Sequence, residues 1–253
     1  MNEEKLFHLN IPVCFNAEYA ILPGDPARVD LIAEKLEKPE LIGENREFRS
    51  VAGMLCGKKV IITSTGIGGP SAAIALEELY ISGVRTAIRT GTCGGMQLDV
   101  EPGDIIIPTA AVRMEGTSKE YAPIEFPAAA DFDVARALVK AAGKLSFRYH
   151  TGIIQSKDSF YGQHDPLSMP VGDMLSYKWE AWKKLGVLAS EMETAALFTV
   201  SHVRGIKTGC VLHALWNQER KKAGFDDRDE FDLDASINTA VEALKIMIGE
   251  ENE

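Results

Sequence analysis

Apolar residues along the chain follow two different spacings that alternate from one segment to the next. Short continuous runs rich in Ile, Val, Leu and Thr predict buried β-strands, at residues 19–22, 60–63, 86–90, 104–113, 151–155 and 208–216. Longer segments carry apolar residues every three or four positions and predict helices, at residues 25–36, 72–82, 132–144, 175–185, 192–203 and 233–248. Strands that alternate with helices in this way are typical of an α/β domain.

The length and charge of the chain narrow the classes of function. With 253 residues, of which 45% are hydrophobic, the chain can bury a full core, and no linker, repeat or low-complexity tract divides it. We therefore expect a single domain over residues 1–253. A net charge of -10 without any basic run disfavours binding to nucleic acid or to membrane surfaces.

The N-terminal sequence and the spacing of the cysteines indicate the cellular compartment of the protein. Residues 1–5 lack the basic and apolar regions of a signal peptide, and no apolar stretch approaches the ~18 residues of a membrane span. The cysteines are scattered, without the C-x-x-C spacing of a zinc or redox site, at Cys14, Cys56, Cys93 and Cys210. We expect a cytoplasmic protein with reduced thiols and no metal site.

Three separate segments carry arginines close to small residues and predict a binding site for an oxyanion. Residues 86–95 predict a strand that carries Arg89 and ends in a turn of small residues, whose backbone N–H groups would bind an anion together with Thr92. Arg28 follows a Pro-Gly-Asp-Pro turn, and Arg46 lies in a third segment. Because a guanidinium stays charged at every physiological pH, these segments together indicate a small, highly charged ligand.

Other polar segments allow two interpretations each. Glu191 and Glu193 lie at a strand-to-helix junction, where they either begin the helix or accept hydrogen bonds from a vicinal diol. Residues 156–164 combine aromatic and polar side chains that suit a planar heterocycle but also an ordinary surface loop. The acidic residues 225–230 predict a solvated loop or, alternatively, a lid over the site.

The glycine-rich residues 64–71 do not match a nucleotide-binding motif. Ser71 occupies the position where G-x-G-x-x-G requires glycine, and neither the P-loop motif nor G-x-S-x-G occurs in the chain. This segment therefore either packs a strand against a helix or forms a wall of the anion site.

Six short motifs follow one another along the chain, namely Gly24-Asp25-Pro26-x-Arg28, Arg46-Glu47-Phe48, Ser64-Thr65-Gly66-Ile67-Gly68-Gly69-Pro70-Ser71, Arg89-x-Gly91-Thr92, Phe160-Tyr161 and Glu191-Met192-Glu193. They occur in the order found in the nucleoside phosphorylase-I family. The chain resembles this family from about residue 8 to about residue 217, and is most similar to its uridine phosphorylase branch. The resemblance implies a central mixed β-sheet, partly closed like a barrel and flanked by helices, in a protein assembled as dimers within a hexamer.

The resemblance also implies roles for individual residues. The positions that match the phosphate site, with Arg46 donated by a neighbouring subunit, are Gly24, Arg28, Arg46, Arg89 and Thr92. The positions that match the ribose site, with His8 from the neighbour, are His8, Met192 and Glu193, and Phe160 would pack on the base. The family needs no cofactor and no obligatory metal, since inorganic phosphate is the co-substrate. A monovalent cation between subunits would lie near Glu47, Ile67 and Ser71.

The base-binding positions depart from those of the uridine branch. Gln163 is present, but Asp165 and Gln218 stand where that branch usually carries arginines. We predict that Lys157, with His164, supplies the missing donors. The alternative is a solvent-exposed Lys157 that pairs with Asp158 or Asp165.

Asn217 ends a predicted strand and would place its amide at the mouth of the pocket, against the base. It stands where purine-cleaving bacterial relatives carry an aspartate, and a neutral amide cannot protonate a purine. The predicted activity is the reversible phosphorolysis of uridine to uracil and ribose 1-phosphate, with Arg89, Lys157 and His164 as catalytic residues. The alternatives are a purine nucleoside phosphorylase, a nucleoside hydrolase, and a non-catalytic nucleoside-binding protein on the same fold.

Overall fold

A computed structural model describes residues 4–251 of the chain. Residues 1–3 and 252–253 lie outside this range. The predictions for the N-terminal segment 1–5 and for the two ends of the domain therefore fall partly outside the described residues. The strands are β1 (Tyr19–Pro23), β2 (Glu37–Asn45), β3 (Phe48–Leu55), β4 (Lys58–Thr63), β5 (Thr86–Gly95), β6 (Ile105–Met114), β7 (Ala128–Ala129), β8 (Tyr149–Lys157), β9 (Ala189–Glu191) and β10 (Lys207–Asn217). The helices are α1 (Pro26–Ala33), α2 (Gly69–Ser82), α3 (Thr117–Tyr121), α4 (Phe132–Lys144), α5 (Phe160–His164), α6 (Gly172–Lys184), α7 (Thr194–Arg204), α8 (Gln218–Lys222) and α9 (Asp234–Glu250).

All of these strands belong to one mixed sheet, and part of that sheet closes on itself. The strand order is β10-β6-β8-β9-β5-β1-β4-β3-β2, and β7 pairs with β6. Because β10 also pairs with β5, the strands β5, β9, β8, β6 and β10 form a closed barrel, from which β1, β4, β3 and β2 extend as an open wing. This confirms the predicted α/β domain with a central, partly barrel-like sheet flanked by helices.

The sheet leaves a local gap beside β5. β1 pairs with β5 only as far as Thr90, and β9 pairs with it only from Gly94 onward. Between these points Gly91–Cys93 pair with β10 on one edge, through partners such as Leu212, and no strand described here pairs with the other edge. An open strand edge presents unpaired backbone N–H and C=O groups. The predicted turn at residues 91–95 was wrong, because these residues continue the strand.

Local sequence signals explain how the helices begin and end. The Asp25 carboxylate accepts the N–H of Ala27 at 2.9 Å and begins α1, with Pro26 in the first turn. Asp131 does the same for α4, since it accepts the N–H groups of Asp133 and Val134. The helix α2 ends at Gly83, whose φ of 116° lies in the left-handed region that favours glycine.

Three apolar clusters hold the layers together. One packs α1, α4 and α9 against the sheet, a second packs α2 and α7 against the wing, and a third fills the barrel under α7; fully buried members include Ile21, Leu76 and Phe198. None of the helices within residues 4–251 is long and apolar enough to cross a membrane.

The hairpin of β2 and β3 has no counterpart among the predicted strands. Its strands pair antiparallel from Asn45 and Phe48, so the segment interpreted as an arginine-bearing anion site is the hairpin turn. Arg46 lies at the tip with a φ of 54° and is exposed. This turn therefore points Arg46 away from the body of the chain that carries it.

Candidate active site

A cavity of about 620 Å³ lies at the gap beside β5. Most of the residues predicted for the site line it together, namely Gly24, Arg28, Arg89, Thr92, Lys157, Phe160, Gln163, His164, Met192 and Glu193. His8, Arg46 and Asn217 do not line it. Its lining contains three kinds of group: two arginines, which form its cationic end, the Glu193 carboxylate, which bonds Arg89, and aromatic rings, which form its aromatic end.

Arg89 defines the cationic end. It is 4% exposed and its Nη2 donates to the Glu193 carboxylate, while Nε lies 3.5 Å from Glu191 Oε2. Gly91 leaves space for this conformation of the Arg89 side chain, because a Cβ at position 91 would lie 2.9 Å from Arg89 Nη2. Burial opposes the charge, but Glu193 and Glu191 outweigh it and raise the pKa of Arg89.

Arg28 brings a second positive charge to the same end of the cavity. Burial lowers the pKa of Arg28; Asp25 opposes this shift, whereas the charge of Arg89 adds to it. The positive charges of the two guanidinium groups therefore repel each other. Two cations that line one cavity next to an open strand edge at Thr92 favour a bound anion that faces both of them.

The two carboxylates at the β9–α7 junction have different roles. Glu191 accepts the N–H groups of Glu193 and Thr194, at 2.9 and 3.0 Å, so its carboxylate stabilises the start of α7. Glu193 instead accepts the N–H of Gly68 at 2.6 Å and the Arg89 guanidinium, and it lines the cavity. Burial raises the pKa of Glu193, and Arg89 acts against this shift. The helix-start interpretation therefore applies to Glu191, and contact of Glu193 with a vicinal diol stays a prediction.

Aromatic rings form the opposite end of the cavity. The Phe160 and His164 ring centroids are 4.3 Å apart, and Trp216 meets Phe160 edge-on at 6.3 Å. Burial lowers the pKa of His164, and the nearby Lys157 charge lowers it further. A neutral imidazole beside two apolar rings is suited to a flat, uncharged ligand.

Lys157 lies at the boundary between this aromatic end and the carboxylates. It is 6% exposed, and its Nζ donates to Ser190 Oγ at 2.8 Å. Burial lowers the pKa of Lys157 to about 8, although Glu191 and Glu193 favour its charge. The alternative of an exposed Lys157 paired with an aspartate is therefore wrong, and Asp158 instead accepts the N–H of Gly116.

Asn217 has a structural role that differs from its predicted contact with the base. Its Nδ2 donates to the carbonyls of Gln97 and Val100, and its Oδ1 accepts the N–H groups that begin α8. The amide has thus used all of its donors and acceptors within the protein. The prediction for Asn217 is corrected accordingly.

His8 and Arg46 both lie outside the cavity of their own chain. His8 Nδ1 is 2.7 Å from Glu78 Oε1, and the His8 N–H also bonds that carboxylate, which fixes the ring at the surface. Their roles in a neighbouring subunit stay predictions. The acidic residues 225–230 form a loop that Asp227 ties to the Arg220 guanidinium.

The three residues implied for a monovalent cation come together near the cavity. Ser71 Oγ donates to Glu47 Oε1 at 2.9 Å, and Ile67 beside them is 79% exposed. Gly66, with a φ of 66°, lets Glu47 approach closely, because a Cβ would lie 2.7 Å from its side chain. Within residues 4–251 no group of three or more His, Cys, Asp or Glu side chains is arranged to hold a metal ion.

Sequence reasoning missed several residues that line the cavity. Ser190, Trp216 and Cys93 all contribute to its wall. The position of Trp216 at the end of a predicted strand could have indicated a place in the site. Nothing in the sequence around Ser190 could have done so, because only the pairing of β9 with β8 brings it beside Lys157.

Comparison with known proteins agrees with this geometry. A family model described as the phosphorylase superfamily matches residues 18–248. A uridine phosphorylase of Treponema pallidum is 48% identical over 97% of this chain and 95% of its own length, and a uridine phosphorylase of Escherichia coli is 41% identical over 88% and 90%. A guanosine phosphorylase of Halorubrum lacusprofundi is 41% identical over 87% and 88%. The chain therefore belongs to the phosphorylase superfamily.

Proposed function

We propose that the protein catalyses the reversible phosphorolysis of uridine to uracil and ribose 1-phosphate. The observation that carries this proposal is that one cavity joins two arginines, a buried carboxylate that bonds one of them, and a group of aromatic rings. These groups suit phosphate, ribose and base, respectively. The similar proteins named uridine phosphorylase support the choice of base.

The cationic end holds inorganic phosphate. Arg28 and Arg89 neutralise its charge, while Thr92 and the backbone at Gly24 complete the contacts. Glu193 and Glu191 hold the Arg89 guanidinium in place, so phosphate bound to it is presented to the sugar as an effectively intramolecular nucleophile. The reaction then needs no nucleophile from the protein.

The central carboxylate positions the ribose. Glu193 accepts hydrogen bonds from the sugar hydroxyls, and Met192 packs beside the ring. Since Glu193 also bonds Arg89, the same contact couples the position of the sugar to that of phosphate. Arg46 and His8 complete the site of a neighbouring copy, which agrees with their positions outside their own chain's cavity.

The aromatic end binds uracil and stabilises it as it leaves. Cleavage of the glycosidic bond builds positive charge on the sugar, next to phosphate, and negative charge on the base. Phe160 packs against the ring of the base, while Lys157, Gln163 and His164 surround its polar edge. Donors that already point to the place where charge develops are the largest single contribution in many enzymes.

A purine nucleoside is the alternative substrate, because one relative is named guanosine phosphorylase. The structure weakens this alternative. Asn217, at the position where purine-cleaving relatives carry a proton donor, has its amide fully engaged with the backbone.

The test is the release of base from uridine and from guanosine, each with and without phosphate. We expect uracil release that requires phosphate and yields an equal amount of ribose 1-phosphate. Release without phosphate would identify a hydrolase, and a preference for guanosine would identify a purine enzyme. Nucleoside binding without release of either base would identify a binding protein.

A further inference from the structure

Three polar side chains form a continuous hydrogen-bonded line in the wall of the cavity, at its aromatic end. Lys157 Nζ lies 2.8 Å from Ser190 Oγ, and Ser190 Oγ lies 2.7 Å from Gln163 Oε1. They come from β8, β9 and α5, so only the folded sheet brings them together. Ser190 is 3% exposed, which keeps water away from the middle of the line.

The chemistry of the three groups fixes the direction of these bonds. An ammonium group has donors only, so Ser190 Oγ must accept from Lys157. The single hydroxyl proton of Ser190 is then directed at Gln163, where it meets the amide oxygen as acceptor. Gln163 therefore keeps its Nε2 group, with two donors, available to the cavity that it lines.

This direction suits the charge that develops in the proposed reaction. A carbonyl that accepts a hydrogen bond makes the N–H groups of the same amide better donors, and such polarisation is strongest away from water. The departing uracil carries its negative charge on carbonyl oxygens, which accept hydrogen bonds. A cation at the far end of the line thus strengthens the donors at the near end.

We infer that Ser190 is a positioning residue, which transmits the charge of Lys157 to Gln163 and holds the Gln163 amide with its Nε2 group toward the leaving base. The inference rests on the proposed function. It explains how a chain with Asp165 and Gln218 at the usual arginine positions still presents polarised donors to the base.

A merely structural role for Ser190 in β9 predicts a different dependence on the substrate. Fluorine at C5 withdraws electrons, so 5-fluorouracil leaves as a more stable anion than uracil and needs less help from donors. If the line stabilises the departing charge, its loss slows uridine more than 5-fluorouridine. A distorted strand would slow both substrates by the same factor.

The experiment compares Ser190→Ala, Lys157→Met and the double variant on both nucleosides. We expect kcat/KM for uridine to fall by about tenfold or more in each single variant, and for 5-fluorouridine by less than about threefold, since hydrogen bonds to charged groups carry effects of this size. The KM for phosphate should stay within about twofold of the wild-type value. The double variant should be no worse than the worse single one, because both remove the same line.

Ser236→Ala is the matched control. Ser236 is also buried and donates to a backbone carbonyl, that of Leu233, but it lies on α9 away from the cavity. Its variant should leave both nucleosides unaffected. Should Ser190→Ala fail to fold, Ser190→Cys decides the question through the same ratio of uridine to 5-fluorouridine, because it keeps a side chain of similar size but replaces the hydroxyl by a weak donor and acceptor.

Equal losses on both nucleosides, or losses that multiply in the double variant, would overturn the inference. A wild-type enzyme that releases no uracil in the presence of phosphate would instead overturn the proposed function. The two failures are therefore distinguishable in one set of assays.

Discussion

Replacing Arg89 should destabilise the fold as well as the reaction. Arg89→Met keeps most of the side-chain volume but leaves Glu191 and Glu193, both about 95% buried, without their shared cation. Removing one partner of a buried ion pair costs about 3–5 kcal/mol, because the remaining charge stays buried and uncompensated. We expect a loss of this size in the free energy of unfolding.

Urea unfolding at neutral pH and fixed protein concentration measures the loss. With an m value of about 3 kcal/mol per M, the midpoint should fall by more than about 1 M. Arg204→Met is the control, since Arg204 makes a comparable two-point contact with Glu77, at 2.7 and 2.9 Å, but on the surface. Its midpoint should change much less.

The pH dependence of the free energy of unfolding tests the same prediction a second time, because its expected direction is known. Burial already raises the pKa of Glu193, and Arg89 opposes this shift more strongly than the N–H of Gly68 does, so the pKa of Glu193 rises further in Arg89→Met. The folded variant then binds a proton more readily than its unfolded chain, and its stability falls as pH rises. The deficit should be largest at neutral pH, shrink in acid, and shrink also when Glu193→Gln is added. A midpoint within about 0.3 M of wild type at neutral pH, or a deficit that grows in acid, would refute the reasoning.

Three other outcomes follow from the site. Glu193→Gln should slow uridine more than 2′-deoxyuridine, because a carboxylate that accepts from two hydroxyls loses more with the full diol; equal losses in kcat/KM would argue against contact with the sugar. Arg46→Ala mixed with Glu193→Gln should regain part of the activity that each lacks alone, since a shared site would then contain both native residues; no gain after verified subunit exchange would count against sharing. The kcat/KM for uridine should decline as pH rises through about 8, where Lys157 loses its proton, and Lys157→Met should lack this decline; an identical pH profile in the two proteins would exclude Lys157 as its source.

Periodicity in the sequence predicted the layers of the fold well, because most strands and helices bury one apolar side. The hairpin of β2 and β3 was not predicted, because β2 is mostly exposed. It begins with Glu37-Lys38-Pro39-Glu40, which lacks the alternation of apolar and polar residues typical of a strand. Its existence depends on pairing with β3, which is a tertiary contact.

The candidate site was predictable where motifs and chemistry agreed, as for Arg89 and Glu193, which meet in the cavity from distant parts of the chain. Asn217 was misassigned because an amide at the end of a strand serves a ligand or a helix start equally well. Ser190 was missed because its significance depends on two neighbours, and a small hydroxyl residue carries no signal for them.

The hydrogen bonds around the cavity distinguish two parts of its wall, which differ in how well they should tolerate substitution. Arg89 and Thr92 are held in β5 by the sheet, whereas the residues after β8 bond mainly among themselves, as in Asp165 N–H to Tyr161 and Met169 N–H to Pro166. We therefore expect that residues 158–171 can be exchanged for those of a relative without breaking the barrel, provided that Asp158 and Gln163 keep their bonds to Gly116 and Ser190. Base preference becomes a property that evolution, or a loop graft, can rewrite while the phosphate chemistry is inherited unchanged.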